Sequence, residues 1–127
     1  IKDCTTENVL SPFCMTLLDD NHCTDVTIEN YHASDCRRMA LSVKSWGSAT
    51  TDKVTIRNSS FSFIGIPEPG LGAKIASMPF DQWPYFPSYG AYFRNVGEVV
   101  LDNVTFSTVG PDDREAIFTD NVGSLMR

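Results

Sequence analysis

The stretch "KVTIRNSSFSFIG", residues 53–65, is nearly written twice more, as "DVTIENYHASDC" upstream and "EVVLDNVTFSTVG" downstream. Each copy reads charged residue, Val, a polar or β-branched residue, Ile or Leu, charged residue, Asn. Apolar residues at every second position mark a strand with one buried face. Asn30 and Asn58 are 28 residues apart, Asn58 and Asn103 are 45 apart, and "NVGSLMR" (121–127) repeats "NVGEVVL" (95–101) after 26. Cys4 precedes Asn30 by 26, which predicts Cys4 in the asparagine slot of a first copy. The long interval is one period plus an insert. "PEPGLGAKIASMPFDQWPYFPS" (67–88) holds five of the seven prolines and reads as an inserted loop.

A second strand recurs within each period: "MTLLDDN" (15–21), "ALSVKSW" (40–46), "AYFRNV" (91–96) and "AIFTDNV" (116–122). No segment has a convincing helical period. A propeller blade needs about 40 residues or more, and a leucine-rich repeat needs its own pattern and a helix. An ordinary sandwich has no reason to keep a 26-residue period. The pattern therefore predicts an all-β parallel β-helix of about four coils of 26–28 residues, one domain over 1–127. The asparagines are expected to form an amide ladder up the stack, with Val and Ile inward. Residues 1 and 127 both fall late in a V-x-I-x-N strand, and neither end looks like a cap. The chain is accordingly expected to be a segment of a longer helix, packed against further coils or self-associating through its coil ends.

The totals narrow the function. The formal net charge is −6, which disfavours nucleic acid, because phosphate binding needs a basic face. No apolar run reaches the roughly 18 residues of a membrane span. Four cysteines (Cys4, Cys14, Cys23, Cys36) include no CxxC pair, so a zinc site is not expected. Buried free thiols and a disulfide both remain open, the former being the ordinary state. No cofactor and no metal are expected.

The residues 86–125, with "PSYG", "YFRN" and "PDDREAIFTDNV", resemble the C-terminal coils of bacterial glycoside hydrolase family 28, the polygalacturonase-like enzymes; 25–66 resemble only its generic coils. The resemblance implies a right-handed parallel β-helix and a secreted, periplasmic or cell-surface hydrolase of uronic-acid (pectin-like) polysaccharides of cell walls. Such enzymes invert, using carboxylates as acid and base. The family's NTD and GHG turns are missing. "LSVKSWGSA" (41–49) stands where an I-R-I-K strand is expected, giving Lys44 the lysine position but Ser42 the arginine's; Phe13 falls where the GHG histidine belongs. Either that register is off by a coil, or this surface lacks the chemistry and the catalytic carboxylates precede residue 1.

Asp19-Asp20, the paired carboxylates near a strand end, are weak catalytic candidates, because successive strand residues face opposite sides. Asp112-Asp113 reads as a turn. His22 and His32 have no Ser or Cys partner at a telling spacing. For substrate binding, Lys44 offers a cation for a sugar carboxylate and Trp46 an indole for a sugar face. On the insert side, Trp83, Tyr85, Phe86 and Tyr89 either wall a saccharide groove or cap the coil beneath. Arg94 is suited to bidentate uronate binding, or to pairing with an acid such as Glu98. Two further function classes stay in view: a non-catalytic carbohydrate-binding or structural β-helix, and a polysaccharide lyase. The lyase ranks last, because no calcium-binding acidic cluster is evident.

Overall fold

The structure, a computed structural model, describes residues 1–127 apart from the side chain of Asp81. Seven strands form one curled sheet: β1 (Lys2–Glu7), β2 (Cys14–Leu17), β3 (His22–Cys36), β4 (Leu41–Ser45), β5 (Thr50–Phe63), β6 (Ser88–Thr108) and β7 (Glu115–Met126). Every pairing is parallel, in the order β1-β3-β5-β6-β4-β2 with β7 on β6. The long strands turn corners and pair twice: β6 lies on β4 through 91–94 and on β5 through 96–108. One register column runs Lys2, Glu29, Arg57, Asp102, so each sequence period lies on the one before it. The chain is thus all-β and parallel, with the coil-on-coil stacking a β-solenoid requires. No helix among the described residues is long and apolar enough to cross a membrane.

The corners explain the asparagines. Asn30, Asn58 and Asn103 all have positive φ (53°, 50° and 55°), as do Asn95 and Asn121 at a second corner (55° and 57°). Asparagine and aspartate tolerate this left-handed conformation better than other side chains bearing a Cβ. The first copy's slot belongs to Asp3 (φ 54°), not Cys4, which pairs instead with Tyr31 and turns inward. The corner requires a left-handed residue with a side-chain acceptor, and a thiol supplies neither. Asp3 Oδ1 accepts from Asn30 Nδ2 at 2.8 Å, Asn58 Oδ1 from Asn103 Nδ2 at 3.0 Å, and Asn95 Oδ1 from Asn121 Nδ2 at 2.8 Å. The expected continuous ladder is broken between Asn30 and Asn58. There His32 Nε2, 3.1 Å away, takes the Asn30 Oδ1 instead.

Inside the coils, Ile28, Val54, Ile56, Val99 and Leu101 line the buried face of the V-x-I-x-N strands as their alternation predicts. On the adjoining wall Phe61 stacks on Phe106 at 5.3 Å and meets Tyr31 edge-on at 5.4 Å. Gly90, of "PSYG", sits where the β6–β7 register slips between Ser88 and Ala91. A Cβ there would lie 2.6 Å from the Ala116 carbonyl oxygen and 2.9 Å from the Phe106 side chain. Gly90→Ala is therefore expected to cost about 1–3 kcal/mol by overpacking, read as a lower denaturant midpoint at unchanged slope.

The insert is not a bare loop. It carries α1 (Leu71–Ala76), with Leu71 and Ile75 buried, and a 3-10 turn at Phe80–Gln82. Six residues are too few to display a helical period, so the sequence pattern misses α1. The insert folds back onto the outer face of β4, β6 and β7, where Phe86 stacks on Tyr92 at 4.9 Å and Trp83 meets Tyr92 edge-on at 5.6 Å.

Candidate functional site

Alternation along β2, β4, β6 and β7 puts two columns on the outer face: Cys14–Ser42–Tyr92–Phe118 and Thr16–Lys44–Arg94–Asp120. The insert covers the first column from Tyr92 onward, leaving the second as a strip along its edge. Two of the expected binding residues, Lys44 and Arg94, are therefore direct neighbours on adjacent strands.

Lys44 Nζ lies 3.2 Å from Cys14 Sγ, 3.3 Å from Ser42 Oγ and 5.5 Å from the Phe86 ring centroid. No described carboxylate pairs with it. Burial raises the pKa of the Cys14 thiol, but hydrogen bonding from Ser42 and the hydrogen bond and charge of Lys44 outweigh it, and the net shift is downward. Arg94 pairs with Asp120, not with Glu98; Glu98 lies 3.9 Å from Lys53 instead. Register decides this, because Asp120 is the residue stacked directly on Arg94. The Arg94 guanidinium carbon also lies 4.3 Å from the Trp46 ring centroid and 4.9 Å from that of Phe80, and those two rings stack at 4.6 Å. Two buried polar atoms here lack hydrogen-bond partners among the described residues, Arg94 Nε and Tyr92 Oη. The phenol lies beside the guanidinium without hydrogen-bond geometry; burial pushes its pKa up against the pull of Arg94.

The other candidates are placed elsewhere. Trp83 packs edge-on against Tyr92 and Phe118, and its Nε1 donates to the Met78 carbonyl. It caps the coil rather than walling a groove. Tyr89 lies on another wall, edge-on to Phe63, its hydroxyl donating to the Phe106 carbonyl. Asp19 (φ 62°) occupies a corner one coil before Gly47, and its carbonyl oxygen accepts from Ser48 N and Oγ, both at 3.0 Å. Asp20 follows it in the same exposed turn. The two histidines do have hydroxyl partners, supplied by the 28-residue period: His22 Nδ1 lies 2.9 Å from Thr50 Oγ1 and His32 Nδ1 2.7 Å from Ser60 Oγ. Both pairs are exposed bridges between coils. All four cysteines are free thiols, but only Cys36 is buried, and that burial pushes its pKa up to about 11; Cys14 is exposed.

The sequence reading missed two features. Phe80 was hidden by its place in a turn, and Asp112 by the ordinary look of "GPDDR". Asp112 and Arg114 form a buried ion pair at 2.6 Å, with side chains 0% and 3% exposed. The pair spans the base of the insert: Asp112 accepts from Ile66 N at 3.0 Å, and Arg114 donates to the Phe86 and Ser88 carbonyls, both at 3.3 Å. A hollow of about 490 Å³ opens beside it, walled by prolines, Glu68 and two aspartates. Its charge has the wrong sign for an acidic ligand, which favours the Lys44–Arg94 strip as the site. Compared with family models, characterised proteins and solved structures, the chain matches none.

Proposed function

We propose that these coils belong to a right-handed parallel β-helix of the polygalacturonase-like kind and bind an acidic, uronic-acid-containing polysaccharide along the strip of Lys44 and Arg94. One observation carries the reading: of two register-adjacent cations, Arg94 pairs with Asp120 and Lys44 with no described carboxylate, beside an exposed aromatic surface. A uronate polymer presents the matching pair of features, a carboxylate for the cations and a sugar face for the ring. Inverting hydrolysis needs an acid and a base on opposite sides of the scissile bond, with room for water. Asp120 is held by Arg94, and Asp19 and Asp20 lie at a corner one coil away. We therefore assign binding to this segment and hydrolysis to carboxylates on other coils of a secreted parent enzyme. The second reading, a non-catalytic carbohydrate-binding segment, is favoured by the lack of opposed carboxylates among the described side chains; NTD and paired-Asp turns encoded upstream in the gene separate the two.

Lys44→Gln is expected to weaken oligogalacturonate binding about 10- to 100-fold, the worth of one charge-assisted hydrogen bond, with Lys44→Arg retaining most of it. Affinity electrophoresis in gels containing the polymer reads this directly. Equal retardation of Lys44→Gln and wild type would overturn the assignment.

A further inference from the structure

We infer that Phe80, and not Trp46, is the surface on which the sugar ring stacks; this rests on the uronate-binding reading above. Trp46 is the residue that sequence alone nominates, but its ring is taken. Phe80 lies against it, nearly parallel at 19°, with ring centroids 4.6 Å apart, and the Arg94 guanidinium lies 4.3 Å from its centroid. Phe80 has the same two neighbours, Trp46 at 4.6 Å and the Arg94 guanidinium at 4.9 Å, but Trp46 is half-buried beneath the pair while Phe80 is the ring open to solvent. Phe80 is 49% exposed, the most exposed aromatic among the large apolar side chains left open to solvent.

Its position is built rather than incidental. The turn at Phe80–Gln82 is closed by the Gln82 N–H on the Pro79 carbonyl (2.9 Å) and the Trp83 N–H on the Phe80 carbonyl (3.3 Å). Trp83 then anchors the turn to Met78 and to the ring of Tyr92. Trp46 thus serves as a backing plate and the insert as a bracket that holds an apolar ring at the edge of a cationic strip. Exposed apolar area of this size, flat and next to Arg94, suits the C–H face of a pyranose whose carboxylate is held by Lys44 and Arg94.

Calorimetric titration of wild type, Phe80→Leu, Phe80→Tyr and Lys44→Gln with trigalacturonate and with its methyl ester tests this. Leucine keeps apolar bulk against Trp46 but removes the flat face, so Phe80→Leu is expected to lose about tenfold in affinity for both ligands. Phe80→Tyr is expected to stay within about threefold of wild type, whereas Lys44→Gln loses affinity for the acid only. If wild type binds and Phe80→Leu binds equally well, the stacking assignment is wrong while the uronate reading stands. If wild type binds neither ligand, the uronate reading fails and takes this inference with it. Near-ultraviolet circular dichroism of each variant confirms that the Trp46 environment is kept.

Discussion

Arg114→Ala is expected to destabilise the protein by about 3–5 kcal/mol, the cost of leaving a buried charge without its partner. The cost follows from geometry: side chains 3% and 0% exposed, a guanidinium with both Nε and NH2 on Asp112, and a third nitrogen on two main-chain carbonyls. Because those carbonyls belong to Phe86 and Ser88, and Asp112 also holds Ile66 N, the loss should fall first on the insert. Amide exchange at Ile66, and at Gly70, whose N–H bonds Asp113 at 2.7 Å, is expected to accelerate before exchange in the β5 core. Arg114→Lys should recover only a fraction, since one ammonium cannot span a carboxylate and two carbonyls.

The same pair sets a pH dependence. Burial acts to raise the pKa of Asp112, but the Arg114 guanidinium and the N–H groups of Arg114 and Ile66 outweigh it and hold the carboxyl below its usual range. A depressed folded-state pKa stabilises the fold at pH values above the unfolded carboxylate value of about 3.9, and that contribution is lost as pH falls through the lower folded value. Wild type and Asp112→Asn are therefore expected to differ by a constant amount from pH 7 to about pH 5. The gap should close only at more acidic pH. A gap that widened on acidification would contradict the assignment.

Tyr92 is the second place where a large effect is expected, and its two substitutions pull in opposite directions. Its ring is fully buried, stacked between Phe86 and Phe118 with Trp83 edge-on. Tyr92→Ala should cost about 3–5 kcal/mol, as for other large buried aromatics, and release the insert from the sheet. Tyr92→Phe removes only a hydroxyl that has no hydrogen-bond partner among the described residues. A buried polar group left unpaired costs about 1–3 kcal/mol, so Tyr92→Phe should match wild type or exceed it by about 1 kcal/mol. Denaturant midpoints of the two variants give both values. A loss above about 1 kcal/mol for Tyr92→Phe would mean that the phenol has a structural partner.

The fold was legible because stacking imposes itself on the sequence. Val54 and Ile56 recur as Val99 and Leu101, and the left-handed corners select asparagine at 30, 58 and 103. The one-residue misplacement at Cys4 arose because an aspartate at position 3 satisfies the same corner, and a search for asparagine passes over it. The strip was half legible. The family resemblance and a cation beside Trp46 nominate Lys44, and a guanidinium suited to a carboxylate nominates Arg94, but their adjacency depends on a 50-residue offset created by the insert. The ordinary 26-residue period supplies the true partner of Arg94, Asp120, where local spacing suggested Glu98. The insert itself was opaque, because short helices and turns carry no period and its contacts reach strands on either side of it in sequence, from β4 to β7. Trp83 and Tyr89 read alike as aromatics on the side of the insert; the three-dimensional arrangement shows both packed on the coils while Phe80 stays exposed.

We propose that the Lys44–Arg94 strip recognises the charge of an acidic sugar. The most direct test is to measure the affinity of the unmodified protein for an oligogalacturonate before and after methyl esterification, at two salt concentrations. Binding of the free acid is expected to weaken with salt and to fall by about tenfold or more on esterification. Equal affinity for acid and ester, unaffected by salt, would contradict it.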